Sequence, residues 1–73
     1  MEIRMQSIKI RDEYIKLGQA LKAAGLVESG VEAKIVIQDG LVTVNGAVEM
    51  QRGKKLTGGE IVGYNGEEIK IEK

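Results

Sequence analysis

The spacing of apolar residues changes once in the first part of the chain. Between Met1 and Ile10, apolar and charged positions tend to alternate, and this pattern indicates a half-buried strand. From Tyr14 to Ala24 the apolar positions recur three and four residues apart, which predicts a helix with one apolar face. The residues on that face are Leu17, Ala20, Leu21 and Ala24.

Gly18 lies inside this first helix and bears on where it begins. A glycine in a helix interior costs about 1 kcal/mol relative to alanine. The helix therefore starts near Leu17, or another segment approaches closely at Gly18. Asp12 is a candidate N-terminal cap, and Gly25 provides the C-terminal stop.

The second helix has the best-defined ends in the sequence. Ser29 and Glu32 have capping-box spacing, in which the serine hydroxyl accepts from a backbone N–H and the glutamate reaches back to the serine N–H. The helix is predicted from Gly30 to Gln38, and Asp39-Gly40 ends it. Lys34 lies on the side away from the core. The residues expected to face the core are Val31, Ala33, Ile35, Val36 and Ile37.

Short strands separated by glycine turns fill the rest of the chain. Asn45-Gly46 and Asn65-Gly66 are strong hairpin signals because both residues tolerate positive φ. The predicted strands are Leu41–Val44, Ala47–Met50, Glu60–Tyr64 and Glu67–Ile71. The order of elements predicts a single α+β domain over residues 1–73, in which two helices pack on a small, bent, mostly antiparallel sheet of four to five short strands.

The composition excludes much of enzyme chemistry. The 73-residue chain has no cysteine and no histidine, so it lacks thiol nucleophiles, the usual zinc ligands and the commonest general acid–base group. We therefore expect no catalytic residue, no metal site and no cofactor. The N-terminus lacks the apolar run of a signal peptide, and no segment approaches membrane-spanning length, so a cytoplasmic protein is expected.

The charges are balanced overall but unevenly distributed. Eleven Lys and Arg face eleven Asp and Glu, a balance that argues against nucleic-acid binding unless the charges are segregated. Residues 50–56, MQRGKKL, carry Arg52, Lys54 and Lys55 and no acid. If the helices pack as a hairpin, Lys22 and Lys34 flank one groove with this basic loop at its edge. Ordinary solvated charge explains Arg52, Lys54 and Lys55 equally well.

Aromatic residues are too few to suggest base stacking. The chain has two tyrosines and neither tryptophan nor phenylalanine, so no exposed aromatic platform is expected. Any RNA would then be recognised through its backbone and shape, as duplex or folded RNA is.

Several segments resemble, in order and spacing, the S4 RNA-binding domain. They are LGQALK at 17–22, SGVEAK at 29–34, DGLVTVNG at 39–46, RGKKL at 52–56 and GEIV at 59–62. The first and fourth are especially similar to the small stand-alone bacterial S4-like proteins of the YbcJ and YaaA type. The resemblance implies an αL motif centred on about residues 14–64, whose helices and following loop present a basic face to RNA.

The resemblance also implies a contact set and a function. The implied contacts are Lys22, Ser29, Gly30, Lys34, Arg52, Lys54 and Lys55. Many S4 domains carry arginine where this chain has Lys16 and Gly30, which implies weaker phosphate binding or a second partner. The implied function is non-enzymatic binding of structured RNA, rRNA or tRNA, by a monomer in a bacterial cytoplasm. A protein-interaction module on the ribosome is the alternative, and DNA binding is the least favoured.

Overall fold

The computed structural model describes residues 4–73, with side chains from Met5 onward. The first three residues of the predicted N-terminal strand lie outside this range. In chain order the elements are β1 Arg4–Lys9, β2 Ile15–Lys16, α1 Leu17–Ala23, α2 Gly30–Gln38, β3 Val42–Val44, β4 Ala47–Val48, β5 Lys55–Leu56, β6 Ile61–Tyr64 and β7 Glu67–Glu72.

The strands form a five-stranded sheet and a separate two-stranded one. The larger sheet has the order β1-β7-β6-β3-β4, and the smaller joins β2 to β5. Strands β1 and β7 run parallel, with Ile8 opposite Ile71, while the other pairs are antiparallel. The predicted α+β class with a mostly antiparallel sheet is therefore confirmed.

Two asparagine–glycine turns set the register of the larger sheet. Asn45 and Gly46 have φ values of 53° and 84°, and Asn65 and Gly66 have values of 52° and 78°. These left-handed conformations suit a two-residue turn whose twist matches that of the flanking strands. Each turn therefore closes a hairpin, which pairs β3 with β4 and β6 with β7, as the sequence predicts.

The core lies between the two helices and one face of the larger sheet. It is aliphatic, as expected for a chain with two tyrosines as its only aromatic residues. Val62 and Ile69 are paired in register on this face, and both are fully buried. The other fully buried large side chains are Leu17, Leu21, Ile37, Val42, Leu56 and Ile71.

Helix α1 is shorter than its apolar spacing predicts. It begins at Leu17 and not at Tyr14, because strand β2 occupies the two preceding residues. The predicted cap at Asp12 is wrong, since Lys16 occupies the N-cap position. The Gln19 side-chain oxygen accepts from the Lys16 backbone N–H at 3.1 Å.

Helix α2 has the predicted ends but a different outward face. The Ser29 hydroxyl accepts from the Glu32 N–H at 3.1 Å, whereas the Glu32 carboxylate reaches the N–H of Glu28, not that of Ser29. The helix buries Ala33, Val36 and Ile37. Val31 and Ile35, which were expected in the core, are 69% and 53% exposed. The apolar residues of this helix surround most of its circumference, so spacing alone did not identify the covered side.

Candidate nucleic-acid interface

The basic loop at 50–56 is fastened to the start of α1 by backbone hydrogen bonds. The N–H of Leu17 donates to the Lys54 carbonyl at 2.9 Å, and the N–H of Gly18 donates to the Arg52 carbonyl at 3.1 Å. These N–H groups belong to the first turn of a helix, where no partner exists within the helix itself. The last two residues of the loop, Lys55 and Leu56, form β5 and pair with β2.

The loop packs against α1 at Gly18. A Cβ at this position would lie 3.4 Å from Arg52 Cγ and 3.7 Å from Ala33 Cβ. The first explanation of Gly18 offered by the sequence is therefore confirmed, because the helix starts beside it. The loop does pack here, but at distances that a Cβ would also allow. As a result the Arg52 side chain lies beside the exposed face of α1.

A shallow groove of about 320 Å³ lies where α1, the start of α2 and the loop meet. Its lining residues are Lys16, Gly18, Gln19, Lys22, Gly30 and Arg52. Three of them carry a positive charge, and none of these lining residues is an acid. We call this the basic groove. A concave surface with cations from three separate segments suits an anion with several oxygens, such as a phosphate.

The start of α2 adds partial positive charge to the basic groove. Ser29 caps the Glu32 N–H, and the N–H groups of Gly30 and Val31 are first-turn donors without a partner inside the helix. Such donors and the helix dipole favour an anion at this end. The Glu32 carboxylate accepts from the Glu28 N–H at 2.7 Å, just before the helix.

The structure groups three of the seven candidate residues, and the other four lie around them. Lys22, Gly30 and Arg52 line the basic groove. Ser29 precedes Gly30 as the cap, and Lys34 follows Gly30 by four residues, on the same side of α2. The remaining two, Lys54 and Lys55, are exposed in the loop and at the start of β5.

Two groove residues were absent from the candidate set. Lys16 was noted only as a lysine where many S4 domains have arginine, and Gln19 was not noted. Lys16 reaches the groove because β2 pairs with β5, which sets Lys16 opposite Lys55. The i, i+3 spacing of Gln19 and Lys22 on α1 is the local signal that would have identified Gln19.

Acidic residues gather in a second depression, at the Asn65-Gly66 turn. It has a volume of about 310 Å³ and is lined by Leu41, Thr43, Gly63, Tyr64, Asn65, Gly66, Glu67 and Glu68. We call this the acidic cleft. It includes two carboxylates, and none of these lining residues carries a positive charge. A net charge of zero thus conceals two surfaces of opposite sign.

Two other kinds of site were sought among residues 4–73. No cluster of three or more acids in this range is arranged to hold a metal ion. Neither described helix has the length and apolarity needed to cross a membrane.

Comparison with known proteins places this geometry in a family. The model of the S4 domain family matches residues 8–72. A protein of Escherichia coli (strain K12) named "Putative RNA-binding protein YbcJ" is 38% identical over 58 residues, which cover 80% of this chain and 83% of that protein. One of Bacillus subtilis (strain 168) named "Probable ribosome maturation protein RlbA" is 41% identical over 59 residues, covering 81% and 83%.

A solved structure extends the similarity from sequence to fold. The solution structure of E. coli YbcJ, described as having an αL motif involved in RNA binding, superimposes with a TM-score of 0.69 at 32% identity. The match covers 100% of this chain and 91% of that one. With the family match over most of its length and these relatives, the chain belongs to the S4 domain family.

Proposed function

We propose that this protein is a non-enzymatic RNA-binding module that binds the phosphate backbone of structured RNA in the basic groove. It acts as one domain over the whole chain, as a monomer in the bacterial cytoplasm. Ribosomal RNA or tRNA is the proposed ligand. The name of the B. subtilis relative, which refers to ribosome maturation, supports the ribosomal choice.

The observation that carries the proposal is the convergence of Lys16, Lys22 and Arg52 beside the start of α2. These cations come from three segments that only the fold brings together. Each side chain supplies charge-assisted donors, and the arginine fork can bind two phosphate oxygens at once. The Gly30 and Val31 N–H groups offer backbone donors at the same place.

The other predicted contacts extend this footprint. Lys34 lies one turn along α2 from Gly30, and the long side chain of a helical residue leans toward the N-terminus of its helix. Lys54 and Lys55 continue the positive charge beyond Arg52. These exposed lysines offer point charges without a planar fork, so each contributes less than Arg52.

The proposal is tested by amide chemical-shift titration with a folded RNA hairpin at several salt concentrations. The largest shifts are expected at residues 16–22, 29–34 and 52–55. Each phosphate contact adds about −0.7 to −0.9 to the slope of log K against log salt, so three groove contacts predict a slope of about −2 to −3. Each further lysine that engages steepens the slope by the same increment.

Lys70 provides a matched control. It lies exposed on β7, opposite Ile61 of β6, and outside the lining of the basic groove. Lys70→Glu and Lys22→Glu change the net charge equally, but only the second is expected to weaken binding strongly. Equal losses in the two variants, or shifts spread over the acidic cleft, would contradict the proposal.

A protein partner on the ribosome is the second candidate. Val31 and Ile35 are four residues apart on α2 and both exposed, so they form an apolar strip directed to solvent. Such a strip, with Lys34 beside it, is typical of a surface that touches protein as well as RNA. Val31→Ser with Ile35→Ser is expected to weaken binding to ribosomal subunits but not to naked RNA if this second function holds.

A further inference from the structure

A third depression adjoins the basic groove on the other side of Gln19. It has a volume of about 400 Å³ and is lined by Ile8, Lys9, Ile10, Arg11, Asp12, Tyr14, Ile15, Gln19 and Ala23. We call this the tyrosine pocket. Gln19 lines both surfaces, so they form neighbouring parts of one face of the protein. The volume lies within the roughly 300–1,000 Å³ of small-ligand clefts.

Tyr14 forms an aromatic wall where the sequence predicts no aromatic platform. Its side chain is 37% exposed and lines the pocket. The Lys55 ammonium lies 4.8 Å from the centre of its ring, within the range of a cation–π contact. Lys55 lies in β5, opposite Lys16 of β2, and β2 begins at the residue after Tyr14.

The lining of the tyrosine pocket suits a nucleobase better than a phosphate. Most of its wall is aromatic or aliphatic, from Tyr14, Ile8, Ile15 and Ala23. The Asp12 carboxylate within this lining repels phosphate and accepts from the N–H groups that base edges present. Lys9 and Arg11 also line the pocket, so it differs from the basic groove in its apolar wall and its acid, and not in lacking cations.

Gln19 is suited to the boundary between the two surfaces. Its side-chain oxygen accepts from the Lys16 N–H at 3.1 Å, so its amino group is turned away from that bond. The amino group has two donors for a phosphate or ribose oxygen on the strand that passes between groove and pocket. Lys9 and Arg11, which also line the pocket, offer further cations to a phosphate on that strand.

We propose that the tyrosine pocket binds an unstacked nucleobase of the nucleotide next to the phosphates held in the basic groove. The ligand is then a junction, with a folded RNA stem in the groove and an unpaired base stacked on Tyr14. This inference rests on the proposed RNA-binding function and specifies its ligand class.

The test compares two hairpin RNAs with the same stem, one blunt and one with short unpaired extensions. Stacking of one base on an aromatic side chain predicts an affinity gain of about 5-fold or more for the extended RNA. Tyr14→Leu, which keeps an apolar side chain without a π face, is expected to remove this gain. Tyr14→Phe is expected to keep it, and neither variant should change affinity for the blunt hairpin.

Tyrosine fluorescence gives an independent readout. The chain has no tryptophan and two tyrosines, so Tyr64→Phe leaves Tyr14 as its only fluorophore. The extended RNA is expected to quench this signal and the blunt hairpin to leave it largely unchanged. Equal affinity for both RNAs, with binding still dependent on Lys22, would overturn the proposal for the tyrosine pocket. It would leave the proposal for the basic groove standing. Failure to bind either RNA would overturn both proposals.

Discussion

The basic groove and the acidic cleft are similar in volume and opposite in charge. Their volumes are about 320 and 310 Å³, and each includes a glycine against which a neighbouring segment packs closely, Gly18 and Gly63. The groove carries three cations, and the cleft carries Glu67 and Glu68. Concavity alone therefore does not distinguish the two depressions, and charge is the reason that we propose the groove as the RNA-binding surface.

The two surfaces also differ in how the chain builds them. The acidic cleft surrounds a hairpin whose turn and carboxylates are consecutive, from Asn65 to Glu68. The basic groove needs residues from β2, α1, α2 and the loop, which hydrogen bonds at Leu17 and Gly18 bring together. A local charge cluster is visible in the sequence, whereas a cluster assembled from distant segments is visible only in the fold.

The largest expected effect comes from reversing charge in each depression. Lys22→Glu with Arg52→Glu is expected to lower affinity for a folded RNA hairpin by about 100-fold, because two charge-assisted contacts are replaced by repulsion. Glu67→Lys with Glu68→Lys changes charge by the same amount at the cleft. It is expected to change affinity less than about threefold, since screening weakens distant charges. Fluorescence anisotropy at fixed salt measures both.

Similar effects of the two double variants on RNA affinity would contradict the proposed difference between the basic groove and the acidic cleft. Equal losses would mean that the fold tolerates neither change, which amide spectra of the free proteins would reveal. A gain of affinity at the cleft comparable to the loss at the groove would mean that only net charge matters. Either result would remove the distinction between the surfaces.

The next effect concerns the glycine of the acidic cleft. A Cβ at Gly63 would lie 2.6 Å from Thr43 Oγ1, across the β3–β6 pairing. Gly63→Ala is therefore expected to lower the free energy of unfolding by about 1–2 kcal/mol, through overpacking between strands. Urea denaturation measures the change. RNA affinity should be retained, because the groove is formed elsewhere.

Two further variants test whether the loss of stability in Gly63→Ala comes from the steric clash with Thr43. Thr43→Ala removes the hydroxyl, so the double variant with Gly63→Ala should recover most of the lost stability. Gly18→Ala is expected to be neutral or to stabilise by up to about 1 kcal/mol, because alanine favours the helix. The atom nearest its new methyl group is Arg52 Cγ, at 3.4 Å on a flexible side chain. No recovery in the double variant would refute the steric explanation.

The smallest effect concerns Glu60, an acid with a structural role in the turn before β6. Its carboxylate accepts from the N–H groups of Thr57 and Gly58 at 2.9 and 2.7 Å. Partial burial raises the pKa of Glu60, but these hydrogen bonds outweigh it and hold the pKa below its ordinary value of 4.5. The ionised side chain therefore stabilises the fold above about pH 4.5.

This contribution is lost as the pH falls through the lowered pKa. Glu60→Gln is expected to reduce stability at pH 7 by about 0.5 kcal/mol or less, because the side chain is only partly buried and solvent screens its charge. The difference from the unmodified protein should shrink in thermal unfolding below pH 4. A difference that stays constant to pH 3 would show that shape, and not charge, is responsible.

Elements fixed by adjacent residues were predicted accurately. Helix α2 runs from Gly30 to Gln38 as expected, because Ser29 caps it and Gly40, with φ of 76°, ends it. The two asparagine–glycine hairpins were also predicted correctly, since their backbone conformations depend on the turn residues themselves.

Elements fixed by distant partners were predicted less well. The apolar spacing extended α1 to Tyr14, although Gly18 also indicated a start near Leu17, because the sequence does not reveal that β2 pairs with β5. Val31 and Ile35 were assigned to the core because α2 is apolar on several sides. Of the RNA-contact candidates, the sequence supplied Lys22, Gly30 and Arg52 but omitted Lys16 and Gln19 from the groove.

The sequence by itself determined the ends of α2, the hairpin turns, the aliphatic core composition and the acid-free loop. These depend on backbone preferences and side-chain types within a few residues. The tertiary structure decided which side of α2 is covered, that β1 and β7 run parallel, and which cations share a groove. The physical reason is that burial and charge convergence depend on partners far apart in the chain, such as Gly18 and Arg52, whose meeting local preferences do not encode.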